Sequence, residues 1–194
     1  MFGMGDHDDT DGILVNRRGL LVGGLAMATT LLLPTWAEAA LHKKGVKRQL
    51  SFRNIHSNEH TTITYFNDGH YSPKALKALN YALRDWRAKQ ARRMDPRLFD
   101  TLWLVQHRLG ISAPFELICG YRSPRTNAYM HAHSDGVAQN SYHIRGMAAD
   151  VSLPHVSTSR LRHAALDLRA GGVGYYPDSG FVHIDVGPVR HWEF

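Results

Sequence analysis

Leu76, Leu79, Leu83 and Trp86 recur at steps of three and four residues, the spacing of one helical face. Ser72-Pro73 stands just ahead of them, a capping residue followed by proline at the first helical position. Asp95-Pro96 repeats that start before a second stripe, Leu98, Leu102, Val105 and Leu109, which Gly110 closes. Residues 49–66 alternate among β-formers around the polar break Ser57-Asn58-Glu59, which predicts a hairpin. Residues 115–119 read as a buried strand, 124–133 as a short helix and 147–153 as a strand. A third main helix is expected over 157–170, ending at Gly171-Gly172. The last segments, 173–176 and 181–186, read as a terminal antiparallel pair joined through Pro177-Asp178-Ser179-Gly180. Along this pair, Tyr175 and Tyr176 alternate, one toward a cleft and one toward the core. Helices come first and most of a small sheet comes later, the order of an α+β fold.

The N-terminal residues follow no such pattern. Residues 1–15 carry Asp6, Asp8, Asp9 and Asp11 without an apolar period. Asn16-Arg17-Arg18 then precedes a run of 15 weakly apolar residues, 19–33, too short to cross a bilayer comfortably. Pro34 and Ala37-Glu38-Ala39 follow it. A paired-arginine start, a short apolar core and an A-x-A exit predict a twin-arginine-type signal peptide over 1–39. The alternative is a buried N-terminal helix with a chance arginine pair. Export predicts a periplasmic protein with no permanent membrane anchor once the signal is cut. Lys43, Lys44, Lys47 and Arg48 make 40–48 a loose basic leader, leaving 49–194 as a single domain.

Composition changes the picture in three places. One cysteine in 194 residues excludes a disulfide framework and any cysteine-based zinc ribbon. A hydrophobic content of 43% excludes wholesale disorder. The formal charge of +6 mixes two regions: residues 1–39 hold two basic and five acidic side chains, so the remainder carries +9. That excess invites a nucleic-acid reading, but no recognition motif or basic-aromatic interleaving supports one. It suits an exported domain that meets a polyanionic wall polymer.

The candidate chemistry lies in Ser141-Tyr142-His143-Ile144-Arg145-Gly146-Met147-Ala148-Ala149-Asp150. His143 and Asp150 are a possible metal-ligand pair separated by a glycine at which the chain can bend. His183 lies 33 residues beyond Asp150, within Phe181-Val182-His183-Ile184-Asp185. On a strand His183 and Asp185 share a face. Two histidines and one carboxylate leave a fourth position for water, the arrangement of a catalytic zinc site. A metal there lowers the pKa of water toward ~7 and polarises a carbonyl. The chain has no H-E-x-x-H helix. Gly171-Gly172-Val173-Gly174 follows a helix and precedes a strand, the reverse of a dinucleotide loop, and reads as a helix stop and tight strand entry. Cys119, in an apolar strand, reads as a small buried residue that could lie near the site.

The pattern S-x-H-x-x-G-x-A-x-D with a late strand histidine resembles the zinc peptidoglycan peptidases. This family holds the D-Ala-D-Ala carboxypeptidases and the LAS endopeptidases, and its fold is shared by the Hedgehog signalling domain. Within it the chain is most similar to the MepK type of murein endopeptidase. The resemblance runs over Asn16-Arg17-Arg18, Phe99-Asp100, Gly120-Tyr121-Arg122-Ser123, Ser141-Tyr142-His143, residues 169–177 and 181–185. It implies a small antiparallel sheet with helices packed on one side and zinc in the cleft. It implies zinc on His143, Asp150 and His183, and Arg122 beside the scissile carbonyl. A guanidinium there stabilises an oxyanion or holds a carboxylate; the bland alternative for Arg122 is a structural ion pair. The family's usual general base, two or three positions before the last zinc histidine, is absent, since Phe181 and Gly180 stand there. Asp185 is the first substitute, either as base or as a group that orients a ligand or Arg122. His133 is an alternative base, and His131, Asp178 and His191 are further candidates. The implied function is zinc-dependent cleavage of peptidoglycan crosslinks, including diaminopimelate–diaminopimelate ones, with peptide stems as partners. The alternatives are a D,D- or L,D-carboxypeptidase and a non-catalytic zinc-containing wall-binding module.

Overall fold

The structure, a computed structural model, describes residues 33–134 and 136–194. The chain runs α1 (Thr35–His42), β1 (Arg48–Asn54), β2 (His60–Asn67), β3 (His70–Tyr71), α2 (Pro73–Ala82) and α3 (Pro96–Leu109). It continues with β4 (Phe115–Cys119), α4 (Pro124–His133), α5 (Tyr142–Arg145) and β5 (Ala148–Ser152). α6 (Thr158–Leu168), β6 (Gly172–Tyr176), β7 (Phe181–Asp185) and β8 (Arg190–Glu193) complete it.

The two caps read from the sequence hold: Ser72 and Asp95 accept a backbone N–H in the first turn of α2 and α3, and Ser123 and Ser157 do the same for α4 and α6. Leu98, Leu102 and Val105 of α3 are fully buried, and Gly110 ends that helix in the left-handed region at φ 68°. α2 ends before the expected stripe does. The chain turns at Leu83, whose carbonyl accepts Tyr121 N–H at 2.7 Å, and Trp86 lies beyond the helix. α6 stops at Leu168 with Arg169 left-handed at φ 49°, two residues ahead of the glycine pair expected to end it.

The sheet corrects the expectation of a small antiparallel one. Among the described residues it has eight strands in the order β3-β2-β1-β4-β5-β7-β6-β8. The predicted hairpin is β1–β2, and β6–β7 is the predicted antiparallel pair. Two parallel pairings were not expected: β1 with β4 and β6 with β8. Both join strands far apart in sequence or too short to show a period of two, so local alternation carries no sign of them. β8 also displaces β6–β7 from its expected terminal place.

Alternation in β4, β5 and β7 gives the sheet two unlike faces. Leu117, Val151, Val182 and Ile184 enter one core with Leu98, Leu102, Leu161 and Leu168 of α3 and α6. The intervening residues Asp150 and His183 face the other way, opposite one another in register. The signal-peptide reading falls mainly on residues 1–32, outside the described residues. The expected cut after Ala39 falls inside α1, where Ala37 is fully buried. The expected leader, 40–48, is the end of α1, a short turn and the first residue of β1, with Arg48 buried.

Candidate metal centre and its cleft

Three side chains from three elements meet on the open face of the sheet. Ser141 caps the single-turn helix α5 by accepting His143 N–H, and Gly146 closes the turn at φ 71°. A Cβ on Gly146 would lie 2.6 Å from the Arg93 carbonyl oxygen, so the chain reverses there only as glycine. The reversal sends β5 back beside α5 and delivers Asp150 to His143 seven positions later. β7 then places His183 opposite Asp150. His143 Nε2, Asp150 Oδ1 and His183 Nδ1 form a triangle with sides of 3.1, 2.8 and 3.1 Å.

The hydrogen inventory of this triangle decides what it can hold. His143 Nδ1 lies 2.7 Å from the Gly120 carbonyl, which only accepts, so Nδ1 carries the hydrogen and donates. His183 Nε2 donates in the same way to Asp185 Oδ2 at 3.0 Å. In the neutral imidazoles the inward nitrogens are therefore bare lone pairs, and both face a carboxylate oxygen. Three lone pairs at this spacing repel unless a cation sits among them. Without a metal, a proton takes that place. Burial alone would lower the His143 pKa, but the Asp150 carboxylate outweighs it and pushes His143 up to about 10. Burial alone would raise Asp150, and the two imidazoles hold it well below the usual carboxylate range. The donor set, two imidazoles and one carboxylate, fits a divalent transition metal. Cys119 adds a thiol: its sulfur lies within 4.8 Å of the ligand atoms of His143 and Asp150.

Asp185 stands behind His183, 1% exposed. Its two oxygens accept from the backbone N–H of Gly172 (3.1 Å) and Gly187 (2.8 Å) and from both terminal nitrogens of Arg190 (3.1 and 2.6 Å). Burial alone would raise its pKa; His183 and Arg190 hold it well below the usual range. The glycine run around Gly172 has its reason here. A Cβ on Gly172 would lie 2.5 Å from both Asp185 Oδ2 and Arg190 Nη1, and one on Gly174 would lie 2.6 Å from the Trp192 ring.

The triangle opens into a cleft of about 730 Å³. Arg122, buried at 6% exposure, lines it with one terminal nitrogen 3.8 Å from Asp150 Oδ2 and the other 3.2 Å from Asn127 Oδ1. Tyr176, Phe181, Trp192 and Phe194 form an aromatic wall, and His56 and Arg87 stand elsewhere on the lining. Tyr175 turns instead toward the core. His133 is exposed at the end of α4, stacked on Tyr129, and is not among the lining residues. His131, Asp178 and His191 are exposed and also outside the lining.

A family profile described as peptidoglycan L,D-endopeptidase MepK matches residues 42–192. The chain belongs to this family. It is 46% identical over 178 residues to the peptidoglycan L,D-endopeptidase MepK of Escherichia coli (strain K12), covering 91% of this chain and 97% of that one. It is 43% identical over 178 residues to the probable peptidoglycan L,D-endopeptidase MepK of Haemophilus influenzae, covering 91% and 95%. The MepK profile spans every residue of the triangle and of the Asp185 cluster behind it. Members of this family are metallopeptidases.

Two participants, Arg190 and Arg87, escaped the sequence reading. Arg190, five residues past Asp185, carries no pattern of its own, and only the turn at Gly187 brings it back. Cys119 did not: read as a small buried residue that could lie near the site, it lies beside the triangle and is half-buried. Arg87 sits in a turn that the helical stripe ending at Trp86 had hidden.

Proposed function

We propose that this protein is a zinc-dependent murein endopeptidase that hydrolyses peptide crosslinks of peptidoglycan, including those between diaminopimelate residues. The observation that carries this reading is the triangle of His143 Nε2, Asp150 Oδ1 and His183 Nδ1, three donor atoms within 3.1 Å of one another that converge on one point. The similarity to MepK enzymes of two organisms supports the substrate class.

His143, Asp150 and His183 would hold the zinc ion. When bound, it supplies an activated water and a Lewis acid for the scissile carbonyl. Gly120 fixes the tautomer of His143 and Asp185 that of His183, so both ring nitrogens stay available. Saturated by backbone and Arg190 donors, Asp185 serves as this positioning residue in place of a base. Arg122 holds the scissile carbonyl oxygen or a nearby substrate carboxylate in a dry wall where its charge is little screened. Residues 1–39 direct export to the periplasm by the twin-arginine route, and the presence of processed protein in the periplasmic fraction tests that step.

Purified sacculi digested with the protein should release uncrosslinked muropeptides. Chelator should stop the release and added zinc should restore it. His143→Ala should release none. Sacculus binding without new fragments would identify a wall-binding module instead, and loss of terminal residues with crosslinks intact would identify a carboxypeptidase.

A further inference from the structure

The cleft lining is unevenly charged. Among the described lining residues, Arg87, Arg122 and Arg190 face a single carboxylate, Asp150. Arg190 is neutralised by Asp185 behind the wall, and Arg122 lies 3.8 Å from Asp150. The Arg87 guanidinium has no hydrogen-bond or ion-pair partner among the described residues; it lies over the Trp86 ring, 4.3 Å from the centroid. Trp86 in turn stacks on His56 at 4.4 Å and 21°. His56 Nε2 donates to the Ile118 carbonyl at 3.0 Å, next in sequence to Cys119.

This shelf is braced to the metal side of the cleft. Asp85, 3% exposed, accepts the backbone N–H groups of Arg87 and Ala88, both at 3.0 Å, and of Ser123 at 2.9 Å. One buried carboxylate therefore ties the turn carrying Arg87 to the residue after Arg122. The Arg87 guanidinium sits over the Trp86 ring with none of its N–H donors taken by a described residue, so they remain available to a carboxylate.

We infer that Arg87 is a specificity-determining residue, receiving a free carboxylate of the substrate on the His56–Trp86 side of the cleft. The inference rests on the endopeptidase reading. A diaminopimelate crosslink keeps a free carboxylate on the carbon that bears the acylated amine, so the cut amide always travels with a negative charge. Arg122 cannot serve both that carboxylate and the scissile oxygen; Arg87 supplies a second guanidinium on the same wall.

The test uses the full-length protein with zinc and crosslinked diaminopimelate muropeptide dimers, in free-acid and carboxamide forms. Arg87→Gln should raise KM for the acid about tenfold with kcat within about twofold. Arg87→Lys should recover part of that loss, and the amide should be cut equally by wild type and Arg87→Gln. Equal losses on both forms, or no KM change on the acid, would overturn the assignment. Calorimetric binding of a diaminopimelate-ended stem peptide, acid against amide, reads the same contact without turnover. Turnover by wild type with an indifferent Arg87 removes the subsite and leaves the endopeptidase. Arg87-dependent binding of the acid without any crosslink cleavage does the reverse.

Discussion

Asp100 and Asp150 are buried to nearly the same degree, 8% and 6% exposed, yet their surroundings differ in kind. Asp100, on α3, receives Arg48 Nη1 at 2.6 Å, the Tyr65 hydroxyl at 2.9 Å and the Tyr71 hydroxyl. Every neighbour brings a hydrogen to give, and the arginine balances the charge. The cluster ties β1, β2 and β3 to α3, and Arg48 also donates to the Leu41 carbonyl in α1 at 2.7 Å. Asp150 faces two imidazole nitrogens whose hydrogens have been drawn outward to Gly120 and Asp185. One carboxylate is closed by donors and braces the fold; the other is closed only when a cation, a proton or a metal ion, sits among its neighbours, and forms a candidate site. Burial and residue type do not separate the two. The placement of hydrogens on the neighbours does.

The largest effects should follow from removing one partner on each side of this comparison. His143→Ala should abolish crosslink cleavage by about a thousandfold or more, because several kcal/mol of metal-derived stabilisation is lost. Asp100→Ala should do the opposite. Leaving Arg48 buried without its partner should cost about 3–5 kcal/mol of stability, read by urea unfolding, with activity per folded molecule unchanged. An Asp100 variant that is stable but inactive would break the comparison.

A smaller effect tests the layer between the two cases. Asp185 is saturated like Asp100 but touches the candidate metal centre through His183. Asp185→Asn should lower zinc affinity about 10- to 100-fold, measured by competition with a chromophoric chelator, and activity should return at high zinc. A loss that zinc does not repair would give Asp185 the proton-transfer role the sequence first suggested.

Much of this was legible in the chain. Capping residues and apolar stripes marked α2 and α3, because those signals are local. His143, Asp150 and His183 were nominated because an unusual residue combination and a family resemblance coincided, and the structure brings them together. What stayed hidden depends on long-range pairing. The parallel partners of β1 and β6 leave no trace in alternation. The saturation of Asp185 needs Gly172, Gly187 and Arg190, scattered over 19 residues. His133 looked suitable as a base by residue type alone. Its place at the exposed end of α4, held by the Tyr129 carbonyl and ring, is set by a helix end and not by any property of the histidine.

The smallest effect concerns pH and belongs to the Asp100 side. Burial, then the Asp100 carboxylate, pushes the Tyr65 phenol well above its usual pKa, and the same causes push Tyr71 up to about 12. A raised folded-state pKa means that folding holds these protons more tightly than the unfolded chain, which releases them near ~10. The stabilisation is therefore complete below pH ~10 and is lost as pH rises from there through about 12. Thermal unfolding followed across that range should show a falling Tm in wild type. Tyr65→Phe should start lower, by about 1–2 kcal/mol for one lost hydrogen bond to a charged acceptor, and fall less steeply, because one titrating group is gone. If the variant kept the full alkaline slope, the phenols would not be the groups that close Asp100, and the contrast with Asp150 would have to rest on Arg48 alone.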